Sequence, residues 1–206
     1  MKLNTRIYLI GFILVAFTLV QCVEDNKHIE PHKRHFPNNE IEQEITDEKA
    51  EALHLLALDA YDRKDYNESI NLLKASLLIE KNPIVYNELG IVNSTIKKYD
   101  VAVEYHRKGQ EIDSTYWLNF INESNIYLRL NEYKKAEPAL MHVSNNSKSK
   151  YWKSYAYFYL AMTYYSDGRQ CTKAIEYLDK SESLKNDPGL KQVYLKFDEI
   201  MRHYCS

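Results

Sequence analysis

The chain has 206 residues and a formal charge of −2 at pH 7, so it is long enough for one domain plus extras, and nothing in the charge argues for nucleic acid. Gly and Pro number only five each, which fits a helical chain better than a β-sandwich. Tyrosine is abundant, at 18.

The first element is not part of a fold. Lys2 and Arg6 lead into an uncharged, mostly apolar run from Ile7 to Val20. Fourteen residues are too few to cross a bilayer comfortably as a helix, so residues 1–21 read as a secretory signal peptide. The end of that run, Leu19-Val20-Gln21-Cys22, resembles the lipobox of bacterial lipoproteins. The resemblance implies cleavage before Cys22, lipid on its thiol, and a bacterial envelope address at the outer membrane or cell surface. Acyl chains contribute about 0.8 kcal/mol per buried CH2, so several make a stable anchor. Gln21 departs from the small residue usual in that slot. The alternatives are an uncleaved N-terminal anchor, or ordinary signal cleavage that leaves Cys22 free. Removing Lys2 and Arg6 takes the formal charge from −2 to −4. Val23-Glu24-Asp25 resembles the acidic surface-export signal of some lipoproteins, or is simply the solvated start of a tether.

Residues 22–45 form a polar linker with Pro31 and Pro37. Few apolar side chains offset its ordering entropy, so it is expected to be mobile. His28, His32 and His35 lie within it, but no closed set of four ligands is near, so they read as incidental rather than as a metal site.

From about residue 46 one pattern recurs four times. Its copies begin Leu53-x2-Leu56-Ala57-x2-Ala60, Tyr86-x2-Leu89-Gly90-x2-Asn93, Phe120-x2-Glu123-Ser124-x2-Tyr127 and Tyr157-x2-Leu160-Ala161-x2-Tyr164. They continue with Ser69-x3-Leu73, Ala102-x3-His106, Ala136-x3-Leu140 and Ala174-x3-Leu178. The small residues at 57, 90, 124 and 161 step by 33, 34 and 37; those at 69, 102, 136 and 174 step by 33, 34 and 38. Tyr66, Tyr99 and Tyr133 occupy a further shared slot, taken in the fourth copy by Cys171. The pattern resembles the tetratricopeptide repeat, a pair of antiparallel helices that cross closely at the small residues. The resemblance implies an all-α, right-handed α-solenoid over residues 46–206. Its repeats cover about 50–82, 83–116, 117–149 and 150–187, with a capping helix over 188–204.

Local signals set the expected ends. Thr46 reads as the first N-cap, with Asp47 and Glu48 in the first turn. Asn82-Pro83 opens the second repeat and Ser114 caps the third. The third copy is the weakest, with Glu123 where Leu is usual and Pro138 set to kink its second helix. Asn145-Asn146-Ser147 is expected to loosen the next turn. Asp187-Pro188 introduces a last helix from Leu190 to about Tyr204, with Val193, Phe197, Ile200 and Met201 at helical spacing.

With Cys22 lipidated, two cysteines remain, Cys171 and Cys205. A cap antiparallel to the fourth second-helix returns Cys205 toward Cys171, and export implies a compartment where disulfides persist. A Cys171–Cys205 bond is therefore expected, the alternative being two unpaired thiols.

No phosphate-cradling loop, nucleophile elbow or metal-ligand helix pair is present, and His54, His106, His142 and His203 are scattered. Neither a catalytic site nor a cofactor nor a small-molecule substrate is expected, and His106 reads as packed in a repeat slot. The sequons at Asn67, Asn93, Asn122 and Asn145 are incidental in a bacterial lipoprotein.

In tetratricopeptide arrays, the resemblance implies, partners lie in the concave groove of the first helices. Its positions fall here on Glu51, His54, Leu58 and Tyr61; on Asn87, Ile91 and Ser94; on Ile121, Asn125 and Arg129; and on Tyr155, Phe158, Met162 and Tyr165. The paired lysines of the family's carboxylate clamp are missing. The mix suits a peptide segment held by side-chain pockets. The aromatic run Tyr151 to Tyr165 divides between core and binding surface. The expected function is a non-enzymatic interaction scaffold with a protein or peptide partner, anchored to a membrane by lipid. The alternative is a structural subunit of an envelope assembly or secretion machine, with the groove only packed.

Overall fold

The structure, a computed structural model, describes residues 43–168 and 170–205. The expected signal peptide, Cys22 and the three linker histidines lie outside the described residues.

Among the described residues the regular elements are helices alone. They are α1 (Glu48–Asp62), α2 (Tyr66–Ile79), α3 (Pro83–Thr95), α4 (Tyr99–Ile112), α5 (Trp117–Arg129), α6 (Tyr133–Asn146), α7 (Lys150–Ser166), α8 (Cys171–Lys180), a 3-10 turn (Glu182–Asn186) and α9 (Lys191–Tyr204). Helices pair as α1/α2, α3/α4, α5/α6 and α7/α8, and each second helix packs on the next first helix. This is the expected all-α solenoid of four helix pairs and a cap.

One pair cannot bury its own apolar stripe, so the cores span the repeat boundaries. One core unites Ala57 of α1, Leu73 of α2, and Val85, Leu89 and Val92 of α3. Another unites Ala102 and Val103 of α4, Ile126 and Tyr127 of α5, and Ala136 of α6. The repeat also fixes the turn inside each pair. Lys64, Lys97, Asn131 and Gly168 all take positive φ, at 65°, 62°, 59° and 76°. In the first three, the N–H of the next residue closes back on the first helix: Asp65 on Ala60 O, Lys98 on Asn93 O and Glu132 on Tyr127 O. This satisfies carbonyls that the helix end leaves open.

Several local expectations are corrected. Asp47, not Thr46, caps α1, its carboxylate accepting from Lys49 N at 2.9 Å and Ala50 N at 3.0 Å. Thr46 instead donates through N and Oγ1 to Glu80, at 2.9 and 3.0 Å. The Asn82 amide, with the Asp47 and Thr46 donors, holds the Glu80 carboxyl below its usual range. Residues 43–45, assigned above to the mobile linker, are therefore held. Ser114 does not cap α5: the cap position is Tyr116, without a side-chain bond. Asp113 turns its carboxylate to Thr115 instead. Pro138 lies inside α6, which continues past it to Asn146. Asn145 and Asn146 close α6 rather than loosening a turn. The fourth repeat's extra residues lengthen α7, where Ala161 is the twelfth residue while Gly90 is the eighth of α3. Ser149 caps this added turn, and Trp152 buries it.

The cap is a first helix without a partner. Tyr194, Phe197 and Met201 are its buried residues, spaced like Tyr157, Leu160 and Tyr164 of α7. Val193 and Ile200, expected in its apolar stripe, are only half-buried. Cys171 and Cys205 are joined, with Cα atoms 5.3 Å apart, which ties the end of α9 to the start of α8. At the other end of the array the described residues provide no such cover. Leu56 is 55% exposed, whereas its counterparts Leu89 and Leu160 are at 0%.

Two outcomes follow for stability. A Cβ on Gly90 would stand 2.4 Å from the buried His106 ring, so Gly90→Ala should cost about 1–3 kcal/mol in urea denaturation and less in a His106→Ala background. Cys205→Ser should remove up to roughly 3–4 kcal/mol for a 34-residue separation, with hydrogen exchange rising first in α9.

Candidate partner groove

The first helices place the expected groove residues in rows, and the rows differ in exposure. His54, Asn87, Ile121 and Phe158 share one repeat position that faces the following first helix. Asn87 is 1% exposed, and its Oδ1 accepts from Asn122 Nδ2 at 2.8 Å, tying α3 to α5. Ile121 is likewise buried. Phe158 is 1% exposed, stacked on Tyr194 at 5.5 Å and edge-on to Phe197 at 5.7 Å. Tyr165 is 5% exposed and edge-on to Phe197 at 5.9 Å. These placements correct the groove: Asn87, Phe158 and Tyr165 are core, because the neighbouring first helix or α9 covers them. His54 is half-buried, and burial pulls its pKa down to about 4, so the imidazole is neutral at pH 7. Its Nε2 has no hydrogen-bond partner.

The remaining positions stay half-buried: Leu58 and Tyr61 on α1, Ile91 on α3, Asn125 and Arg129 on α5, Tyr155 and Met162 on α7. The Tyr61 hydroxyl lies 3.0 Å from Thr95 Oγ1, bridging α1 and α3. Tyr155 stacks on Tyr159 at 5.0 Å, at the start of α7. Asn125 Oδ1 is buried without a hydrogen-bond partner, and Arg129 makes no ion pair among the described residues. The surface is thus largely uncharged, with one cation and one unused amide oxygen.

A second polar set escaped the sequence reading as a set. Glu123, in a slot where Leu is usual, is buried and accepts from Arg107 Nε at 2.9 Å and Gln110 Nε2 at 2.6 Å. Arg107 also donates to the Tyr127 hydroxyl at 3.1 Å. Beside it, Asn119 donates to Pro83 O at 3.1 Å and lies 3.2 Å from His106 Nδ1. Gly109 leaves it room, since a Cβ there would stand 2.2 Å from the Asn119 amide. Glu123 breaking the apolar pattern was the one signal in the sequence, and Arg107 and Gln110, one turn apart on α4, are its partners. An open cleft of about 720 Å³ adjoins this set between α4 and α6, floored by Phe120 and Glu123. The His142 ring stacks on Phe120 at 4.3 Å there. These groups neutralise and pack one another, and they form no nucleophile–base pair. Among the described residues no three His, Cys, Asp or Glu side chains gather as a metal site. No described helix is long and apolar enough to cross a membrane.

No family model and no curated protein matches the chain. Solved structures do. MamA residues 41 to the end from Desulfovibrio magneticus RS-1 align at 24% identity and TM-score 0.57, covering 69% of this chain and 77% of that one. Another MamA crystal structure aligns at 20% identity and TM-score 0.57, covering 91% and 97%. The C-terminal part of a TPR repeat-containing protein from Cytophaga hutchinsonii aligns at 11% identity and TM-score 0.56, covering 86% and 63%. At these identities the likeness is one of fold. It agrees with the helix pairing, the recurring positive-φ turns and the buried small residues: the chain has a tetratricopeptide-type fold.

Proposed function

We propose that this chain is a non-enzymatic protein-interaction scaffold that takes a peptide segment or protein partner along its first helices. The supporting observation is the half-buried row of Leu58, Ile91, Asn125, Arg129 and Met162. It offers half-buried apolar side chains and one cation. Apolar side chains in a row with a cation beside them suit a peptide segment held by its side chains. The reading includes lipid on Cys22 and a bacterial envelope address, supported by the sequence of the first 25 residues. Nucleic acid and small-molecule substrates have no part in it.

A second reading rests on a different observation. Leu55 and Leu56 are 56% and 55% exposed on the open face of α1. That face suits a structural subunit of a larger envelope assembly, abutting its neighbour end-on while the groove is only packed.

Asn125→Ala with Arg129→Ala should lower co-purification of the partner about tenfold or more, and Leu56→Asp should leave it unchanged. Leu56→Asp should keep the thermal midpoint of the parent, as surface changes generally do within about 0.5 kcal/mol, and circular dichroism should show the double variant folded. Partner loss on Leu56→Asp alone favours the end-on subunit. The intact mass of protein taken from membranes should begin at Cys22 and carry a diacylglyceryl group and an acyl chain. An unmodified start elsewhere removes the lipid anchor from the reading.

A further inference from the structure

Successive first helices meet through a repeated pair of positions. The residue three before the small crossing residue faces the following first helix, and the residue two before it faces the preceding one. Asn87 and Asn122 show the contact directly, the Asn122 amide donating to Asn87 Oδ1 at 2.8 Å. The cap extends the row. Tyr194, Phe197 and Met201 of α9 match Tyr157, Leu160 and Tyr164 of α7, so Leu195 stands where Phe158 stands. Phe158 is covered by α9, but no described helix follows α9, and Leu195 is 45% exposed. At the other end Leu55 stands where Asn122 stands, and it is 56% exposed. A lone exposed leucine is ordinary. Here the array finishes in the two unmatched halves of its own internal contact, and both halves are leucine.

The charges beside them are complementary. First helices run parallel, so the Asn87–Asn122 register, carried to the two ends, sets Lys191 beside Glu51 one turn before the leucines. Two turns after them it sets Arg202 beside Asp62. Lys191 and Glu51 are exposed and make no ion pair among the described residues. Glu199 and Asp59 are a like-charged pair in this register, and Arg63 offsets it by binding Asp59.

We propose that Leu195 of one copy packs on Leu55 of the next, so that copies join head to tail and the row of first helices runs on from chain to chain. The joint rests on the end-on reading of the α1 face and makes the neighbour a second copy. Ile91, Asn125 and Arg129 lie on interior helices and are not touched by it. The two joined surfaces differ, so the contact is heterologous and propagates instead of closing into a symmetric dimer. One helix face on another falls short of the roughly 800 Å² per partner of a stable interface, so association is weak and needs a high protein concentration.

The test is sedimentation velocity of the full chain in detergent, with micelles in large excess over protein. The parent should pass from monomer to dimer and longer chains as its concentration rises. Leu55→Asp and Leu195→Asp should each weaken association about tenfold or more while keeping the circular dichroism of the parent. Mixed together, the two variants should recover a dimer and nothing longer, because only one intact pair of faces remains. Glu51→Lys or Lys191→Glu alone should also weaken association, and the two in one chain should restore it. A parent that stays monomeric at every concentration overturns the proposal. So does an assembly unmoved by Leu195→Asp, which assigns the α1 face to a symmetric contact. Loss of a different protein on Leu55→Asp, from a chain that is itself monomeric, overturns the second copy but keeps the end-on reading.

Discussion

Everything in this array depends on how closely two helices approach at one crossing in each pair. Ala57, Ser124 and Ala161 of the first helices and Ser69, Ala102, Ala136 and Ala174 of the second are buried at 0–1% exposure. At Gly90 even a methyl group would collide with the His106 ring. Close approach brings the flanking large residues into contact across the repeat boundary. Leu73 and Leu89, or Val103 and Ile126, can then share one core. Each repeat is stable only through its neighbours, so the small residues set both the pair and the stack.

Where the pattern is broken, the structure compensates with polar contacts instead of opening. Glu123 would leave a buried carboxylate uncompensated, and Arg107 and Gln110 answer it from α4. Arg107 keeps more than half of its side chain in solvent, so only one of the two charges is withdrawn from water. That lowers the desolvation cost that usually makes buried ion pairs poor stabilisers. His106 and Asn119 form a second joint at the same boundary, with Gly90 and Gly109 giving the space. The junction of the second and third repeats is therefore held by polar contacts, and an open cleft adjoins it.

The two ends are treated differently. The C-terminal end is closed by α9, an unpaired first helix that offers Tyr194, Phe197 and Met201 to α7 and α8 and is fastened by Cys171–Cys205. The N-terminal end leaves Leu55 and Leu56 in solvent, and the chain entering α1 runs along the edge of the array, toward Asp113, rather than over that face. A solenoid's surface is set by such terminal choices as much as by its repeats, because interior repeats all bury equivalent faces.

The sequence by itself determined the period, the helix pairing and the small residues at the crossings, because each is a property of position within a repeat; it left Cys171 and Cys205 either paired or free, and the packing of α9 on α8 joins them. It also showed where the pattern breaks, at Glu123 and in the longer fourth repeat. It did not show that the extra residues extend α7, since Ser149 as a cap and Trp152 as an anchor act only once α6 has ended at Asn146. The groove was legible as a set of helix positions but not as a surface. Helical spacing says which way a residue points from its own axis; a neighbouring helix decides whether anything is left to touch. Leu58, Ile91, Asn125, Arg129 and Met162 stay accessible, while Asn87 meets Asn122 and Phe158 and Tyr165 meet α9. Only the packing of one helix against the next, absent from any single repeat, separates the two groups.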